Sequence, residues 1–205
     1  MNRFDVRVSP REFLELPLRV HAVLRDVPLH DVSVVDLPGG GVGRTIADVP
    51  SLLSAENAEP PTLAVRALFE LRRWLGRIFR WDTEPDAGQP WSYVHRLPED
   101  LRGFSAVSER TPEGPFTLLY RLDREELVEI RNATVHAFLC RALQPTADGY
   151  RLYWAIYVKP VSWLTPAYMA LIEPFRRFVV YPAILGRARQ AWVDRHPDPM
   201  LEYDA

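Results

Sequence analysis

The sequence predicts an α+β fold in which a curved antiparallel sheet packs on a long C-terminal helix. Two runs with alternating apolar residues cover Glu126 to Leu143 and Tyr150 to Val161, and this alternation is typical of strands with a buried face. An apolar segment from Thr165 to Trp192 predicts the long helix. A short β-branched run from His30 to Leu37 predicts the first strand, and we expect two short helices after it. Strands far outnumber parallel crossovers in this order, so a doubly wound fold is not expected.

The composition is that of one globular domain. Of 205 residues, 47% are hydrophobic and 25% are charged, which is ordinary for a folded protein. The net charge of -2 provides no basic field, so we do not expect nucleic acid as a partner. Cys140 is the single cysteine, which excludes an intramolecular disulfide and fits a reducing cytoplasm. We expect an N-terminal helical extension over residues 1–29, the main domain over 30–195 and a tail over 196–205.

No segment predicts a membrane span. The N-terminus lacks the apolar stretch of a secretory signal. The most apolar segment, residues 167–185, carries Glu173, Arg176 and Arg177 near its centre, where each charge costs at least about 2.5 kcal/mol in a bilayer. We therefore predict a cytoplasmic protein without a transmembrane segment.

The N-terminal elements follow from capping residues and breakers. Ser9 before Pro10, with Glu12 three residues after the cap, predicts a helix start. That helix should run to about Leu24 with a break at Pro17.

Further along, the first strand should end at Pro38, and the glycines from Gly39 to Gly43 predict a turn. Thr45 or Ser51 could begin a short helix. From Thr62 to Ile78, apolar residues recur with the period of an amphipathic helix.

The remaining elements are strands and one bent helix. Trp91 to Arg96, Phe104 to Glu109 and Pro115 to Leu122 are predicted strands, with a tight turn at residues 123–125. Pro174 and Pro182 should each remove a backbone hydrogen bond and bend the last helix.

Several short motifs carry a resemblance to a known family. They are Leu71-Arg72-Arg73, Trp81-Asp82, the run Arg131 to His136 and the run Pro174 to Val180. With them the chain resembles the DUF2867 family over about residues 30 to 190, and its element order resembles the helix-grip fold of the START and Bet v 1-like (SRPBCC) superfamily. The resemblance implies a cupped sheet that grips a long helix around a cavity. In relatives this scaffold hosts lipid, steroid and polyketide binding as well as some cyclases and hydrolases, so the fold alone does not decide the function.

A candidate pocket follows if Glu126 to Cys140 is one regular strand. Alternation then places Asn132, Thr134 and His136 on one face among large apolar side chains, as in a ligand pocket with few polar groups. His136 could act as an acid or base, or it could be a core histidine bonded to a carbonyl or carboxylate. The ligand-binding residues we predict are Tyr120, Asn132, Thr134, His136, Phe138, Trp154, Tyr168, Ile172 and Phe175.

The opposite face and the last helix have simpler interpretations. Glu129 and Arg131 should pair with each other or with a neighbouring strand. In the run from Tyr150 to Val161 both faces are apolar, so one should pack on the long helix and the other could meet a second copy of the chain. On the helix, a stripe should face the sheet while the arginines face solvent or bind a carboxylate or phosphate. The stripe consists of Tyr168, Leu171, Ile172, Phe175, Phe178, Val179 and Pro182, and the arginines are Arg176 and Arg177.

No familiar catalytic or metal motif is present. The cluster from Gly39 to Gly43 lacks the spacing of a phosphate-binding loop. The five histidines are scattered without ligand spacing, so we predict no metal site and no cofactor. Cys140 has no sequence context that marks a nucleophile.

The predicted function is binding of a hydrophobic or amphipathic small molecule in an internal pocket between the sheet and the C-terminal helix. One alternative is a cyclase, isomerase or hydrolase on the same scaffold, with His136 as acid or base and Arg131 or Tyr120 stabilising charge. Another is a dimeric interaction protein with a filled core.

Overall fold

The computed structural model describes residues 6–50, 92–103, 112–113, 116–131, 135–161 and 165–196. The strands are β1 (Val6–Arg7), β2 (Leu29–Pro38), β3 (Pro112–Glu113), β4 (Phe116–Arg121), β5 (Glu125–Arg131), β6 (Val135–Thr146) and β7 (Gly149–Pro160). The α-helices are α1 (Pro10–Leu14), α2 (Val20–Val23), α3 (Glu99–Arg102), α4 (Thr165–Phe175) and α5 (Tyr181–Arg195). Two 3-10 turns lie at Ile46–Asp48 and Tyr93–Arg96, and a π-helical segment at Arg176–Val180 joins α4 to α5.

The strands form one antiparallel sheet in the order β1-β2-β7-β6-β5-β4-β3. Five strands are long, and β1 and β3 have two residues each. The α+β prediction, with an antiparallel sheet and a C-terminal helix, is therefore confirmed. The closing strand β7 pairs with β2 on one side and with β6 on the other, which places the first long strand next to the last one.

The prediction that Glu126 to Cys140 forms one regular strand was wrong. The chain reverses within this run, because β5 ends at Arg131 and β6 pairs back on it with His136 opposite Arg131. Alternation cannot be carried through a reversal, since residues opposite each other in an antiparallel pair share a face. Glu129 therefore lies opposite Phe138, on the face that also holds His136.

The sheet is covered on both faces, so the molecule has three layers. We call front the face that carries Phe138, Cys140, Ala142, Tyr153, Ala155 and Tyr157; it packs against α1, α2 and the segment 93–101. We call back the face that carries Leu139, Leu143, Leu152, Trp154, Ile156 and Val158; it packs against α4 and α5. The predicted division of β7 into two apolar faces is thus confirmed. Phe13 is fully buried against Tyr153 and Tyr157, so the N-terminal helices occupy the face for which a second copy was considered.

The C-terminal helix is continuous but changes phase between Pro174 and Pro182. The π-helical segment Arg176–Val180 lies between the two prolines, and one extra residue turns the following helix by about 100° relative to the preceding one. After it, Tyr181, Leu185, Ala188 and Trp192 face the sheet. The predicted stripe was wrong at Leu171 and Phe178, which are 61% and 68% exposed.

The predicted helix start at Ser9 and the predicted break around Pro17 are confirmed. The Ser9 side chain accepts a hydrogen bond from the Arg11 N–H at 3.3 Å, and the helical region is interrupted between Leu14 and Val20, around Pro17. Thr45 caps the turn at Ile46–Asp48 in a capping box.

The strand predicted from Trp91 to Arg96 was wrong, because Tyr93–Arg96 is a 3-10 turn that Ser92 caps. The predicted helix Thr62 to Ile78, the strand Phe104 to Glu109 and a helix start at Ser51 lie outside the described residues. Within the described ranges, no helix has both the length and the apolar content needed to cross a bilayer.

Candidate functional site

The sheet separates the residues predicted to line one pocket. Tyr120, His136 and Phe138 lie on the front face, whereas Trp154 and Ile172 lie on the back side with the C-terminal helix. Asn132 and Thr134 lie outside the described residues, as do the side chains of Tyr168 and Phe175. A single pocket cannot contain both groups, because the backbone layer of the sheet lies between them.

His136 is a buried member of a polar cluster on the front face. Its ring is 2% exposed, and its Nε2 lies 3.0 Å from Glu129 Oε2. The same carboxylate oxygen accepts a hydrogen bond from the Tyr93 N–H at 3.1 Å, and the Tyr93 and Phe138 rings contact the imidazole. These contacts are those of a core histidine that holds the turn Tyr93–Arg96 against the sheet.

Tyr120 is also a buried residue with a hydrogen-bond partner in the interior. Its hydroxyl donates to the Glu125 carboxylate, and burial, then the charge of Glu125, raises the pKa of Tyr120 well above its ordinary value. Glu125 also accepts hydrogen bonds from the N–H groups of Arg19 and Val20, both at 2.7 Å. A carboxylate in this position satisfies N–H groups at the start of α2. Tyr120 and Glu125 therefore join the N-terminal helices to the sheet.

The described part of the interface between the back face and α5 is packed with side chains. Tyr181, Leu185, Ala188 and Trp192 are each at most 6% exposed and contact the apolar residues of β6 and β7. Trp192 Nε1 also donates to the Pro38 carbonyl at 3.0 Å.

An open cleft of about 650 Å³ lies at the edge of the molecule where the β4–β5 turn meets the N-terminal segment. This volume is in the range of small-molecule sites. Four separate stretches of chain contribute its lining: Pro17, Leu18, Arg19, Thr45, Ala47, Arg121, Leu122, Asp123, Arg124, Glu125 and Gln144. We call this feature the turn cleft.

Backbone hydrogen bonds fix the walls of the turn cleft. The Asp123 carbonyl accepts from the Ile46 N–H at 2.6 Å, and the Arg124 carbonyl accepts from the Leu143 N–H at 2.9 Å. The Leu122 N–H donates to the Glu125 carbonyl at 2.7 Å and closes the turn. The β4–β5 turn is thus held on both sides, which gives the cleft a preformed shape.

The charged lining of the turn cleft consists of three arginines and of the acids Asp123 and Glu125, and two of the arginines are already paired. Arg19 binds Asp100 and Arg121 binds the buried Glu126. Arg124 is exposed and has no ion pair within the described part of the chain. Pro17, Leu18 and Leu122 supply apolar surface beside it. The cleft can therefore take an apolar body together with an anionic group.

A second polar cluster lies between β2 and the C-terminal helix. The buried Asp31 accepts a hydrogen bond from Arg176 Nη2 at 2.7 Å and lies within 3.3 Å of the Tyr181 hydroxyl. Burial raises the pKa of Asp31, and Arg176 opposes that rise. Burial and the Asp31 charge raise the pKa of Tyr181. Arg176 was expected to face solvent or to bind a carboxylate or phosphate. Its side chain is 13% exposed and binds the Asp31 carboxylate.

His30 and Glu173 extend this cluster toward solvent. His30 Nε2 lies 3.3 Å from Glu173 Oε2 and 4.0 Å from Asp31 Oδ2. Together with Asp31 they offer three possible metal-ligand atoms, all within 4.8 Å of one another. The histidine spacing in the sequence could not reveal this set, because its members come from β2 and from α4.

Sequence reasoning missed both the turn cleft and the Asp31 cluster. The polar tight turn at residues 123–125 was predicted correctly, and it was the one local signal at the cleft. For the second cluster the available signal was Asp31 beside the β-branched run of β2, since a buried carboxylate requires a partner.

The fold and these sites define an α+β protein whose antiparallel sheet is covered by helices on both faces and borders an open cleft with charged and apolar lining. The chain belongs to the family described as "Protein of unknown function (DUF2867)", whose model matches residues 23–183. The match confirms the family resemblance seen in the sequence. A comparison with proteins of curated function gave no match to this chain.

Proposed function

We propose that this chain binds an amphipathic small molecule with an anionic group, and that the ligand lies in the turn cleft. The observation that carries the proposal is the preformed turn cleft of about 650 Å³, which combines apolar side chains with the exposed Arg124. The apolar part of a ligand would contribute about 25 cal/mol for each Å² that it buries. Its carboxylate, sulfonate or phosphate would accept charge-assisted hydrogen bonds from the guanidinium.

This proposal keeps the ligand class expected from the sequence and changes the location. The ligand was expected between the sheet and the C-terminal helix. In the described part of that interface, Leu185 and Trp192 fill the space between α5 and the back face. We also propose that the fold is a helix-grip member of the START and Bet v 1-like superfamily. Support for this comes from the antiparallel order in which the first long strand pairs with the last one and from the long helix packed across the back face.

A pair of fluorescent probes tests the proposal. The sulfonate 8-anilinonaphthalene-1-sulfonate carries the anionic group, and N-phenyl-1-naphthylamine is its uncharged counterpart. We expect both probes to bind the wild type. Arg124→Gln should weaken the sulfonate about tenfold, which corresponds to a loss of about 1.4 kcal/mol, and should leave the neutral probe unchanged. Arg25→Gln is the matched control, because Arg25 is exposed and does not line the cleft.

A second variant tests the location independently of charge. Ala47 is exposed and lines the cleft, so the indole of Ala47→Trp should occupy the cleft and weaken both probes. Ala22→Trp places the same group on the exposed side of α2 and should have no effect. Binding that neither Arg124→Gln nor Ala47→Trp weakens would place the ligand elsewhere. Failure of the folded wild type to bind either probe would contradict the proposed function itself.

A further inference from the structure

We propose that His30, Asp31 and Glu173 form a binding site for a divalent transition-metal ion of the zinc class. The site is separate from the turn cleft, and none of its residues lines that cleft. The proposal therefore stands or falls independently of the proposed function.

An irregularity in β2 brings the first two ligands together. Consecutive residues of a regular strand point to opposite faces of a sheet. The β2–β7 register shifts between Leu29 and Asp31, and such a bulge redirects side chains. As a result His30 Nε2 lies 4.0 Å from Asp31 Oδ2, although the two residues are adjacent in the chain.

The third ligand comes from the helix that crosses the sheet. Glu173 Oε2 lies 3.3 Å from His30 Nε2, and all three ligand atoms fall within 4.8 Å of one another. Ligands at zinc–ligand distances of about 2.0–2.2 Å in a tetrahedron stand about 3.3–3.6 Å apart. The His30–Glu173 distance already meets this requirement, whereas Asp31 Oδ2, 4.0 Å from His30 Nε2, must move closer to bind the same ion.

The groups behind Asp31 resemble the outer shell of a metal site. Arg176 Nη2 donates to Asp31 Oδ2 at 2.7 Å, and the Tyr181 hydroxyl lies 3.2 Å from the same oxygen. Such partners orient a ligating carboxylate and are a usual part of metal centres. The Arg176 charge also opposes a cation, so we expect weaker binding than in a site with carboxylates alone.

The exposure of the three ligand side chains allows an ion to reach the site from solvent. The side chains of His30 and Glu173 are about one-third exposed, at 31% and 30%, whereas that of Asp31 is 6% exposed. An ion can therefore enter from solvent and keep a water molecule as its fourth ligand. Arg176 Nη1 lies 3.7 Å from Glu173 Oε2, so the guanidinium pairs with both carboxylates and an ion must compete with it for them.

The ligand types select the class of ion. One imidazole with two carboxylates suits zinc, copper or nickel, whereas magnesium and calcium prefer oxygen ligands alone. Zn²⁺ is the thermodynamic probe, and Co²⁺ is the spectroscopic probe for the same geometry.

The test is calorimetric titration of Zn²⁺ into the full chain, made without a histidine tag and freed of metal with a chelator. We expect one equivalent to bind. His30→Ala should weaken binding at least about tenfold, and Glu173→Gln should also weaken it. The matched controls are His95→Ala and Glu99→Gln, since both residues are exposed and lie outside the cluster; neither should change the titration.

Co²⁺ absorption gives a second readout that a structural role of these residues would not produce. We expect visible bands of a four-coordinate complex in the wild type and in His95→Ala, and their loss in His30→Ala. Absence of Zn²⁺ binding by the folded wild type would overturn the proposal and leave the cluster as an ion-pair network around Arg176. Binding that survives both His30→Ala and Glu173→Gln would overturn it as well.

Discussion

The buried ion pair between Glu126 on β5 and Arg141 on β6 gives the sharpest test of the energetics. Glu126 is 0% and Arg141 1% exposed. Arg141 Nε donates to Glu126 Oε1 at 2.7 Å, and its Nη1 donates to the Pro50 carbonyl at 3.1 Å. Replacing the carboxylate with an amide would leave the guanidinium in the interior with neutral acceptors only and without its counter-charge.

We expect Glu126→Gln to lower the free energy of unfolding by about 3–5 kcal/mol, because breaking one side of a buried pair leaves an uncompensated charge. Total stabilities are about 5–15 kcal/mol, so the loss should be large and easy to measure. Arg121, which also contacts Glu126, has a side chain that is 35% exposed and can be solvated when the carboxylate is gone.

The double variant Glu126→Met/Arg141→Met separates charge from packing. Removing both charges abolishes the desolvation penalty as well as the attraction, so the double variant should lie within about 1–2 kcal/mol of the wild type. Asp36→Asn is the matched control, because the Arg151–Asp36 pair is exposed, at 36% and 66%. It should cost no more than about 1 kcal/mol.

The assay is urea unfolding followed by tryptophan fluorescence and far-UV circular dichroism. At a slope of about 2 kcal/mol per molar urea, the single variant should shift the midpoint down by about 1.5–2.5 M. A shift under about 0.5 M, or a double variant as unstable as the single one, would refute the argument that an isolated buried charge is the dominant cost.

Two further predictions follow from packing. Gly40→Ala should lower the free energy of unfolding by about 2–4 kcal/mol, because φ is +86° and a Cβ would lie 2.5 Å from the buried Trp192 ring. Gly41→Ala should lower it by about 1–2 kcal/mol, because φ is +68° but nothing lies within 4 Å of a Cβ there. Equal losses of unfolding free energy in urea would contradict this packing. Cys140 is fully buried, and burial, then Glu125 and Glu126, raises the pKa of its thiol well above the ordinary value. Iodoacetamide at about pH 8, near the ordinary thiol pKa, should therefore label Cys140 in urea and leave it unlabelled in the native protein, as mass spectrometry would show; rapid labelling of the native chain would contradict its burial.

Elements with strong local signals could be predicted from the sequence. The Ser9 cap, the strand ending at Pro38 and the alternation along β7 each depend on residues close together in the chain. Capping, proline geometry and alternation act over a few residues, so they remain valid whatever the rest of the chain does.

Two errors arose where a periodic pattern was extended through a break in period. Alternation appeared to continue from β5 into β6, although the chain reverses there and Arg131 comes to lie opposite His136. In the last helix the regular period is broken by the π-helical segment, which begins at Arg176; within it Phe178 is exposed and Arg176 points inward. The sequence contained both prolines but could not specify how the backbone adjusts between them, since that depends on packing against the sheet.

The sequence by itself determined the α+β class, the family, the antiparallel character of the sheet and the two apolar faces of β7. The tertiary structure decided which polar groups meet. The turn cleft joins Arg19, Ala47 and Arg124 from separate stretches of chain, and the proposed metal ligands His30 and Glu173 come from β2 and α4. Local propensities carry no information about such distances, because a site of this kind exists only once the packing of apolar faces has fixed the helices on the sheet.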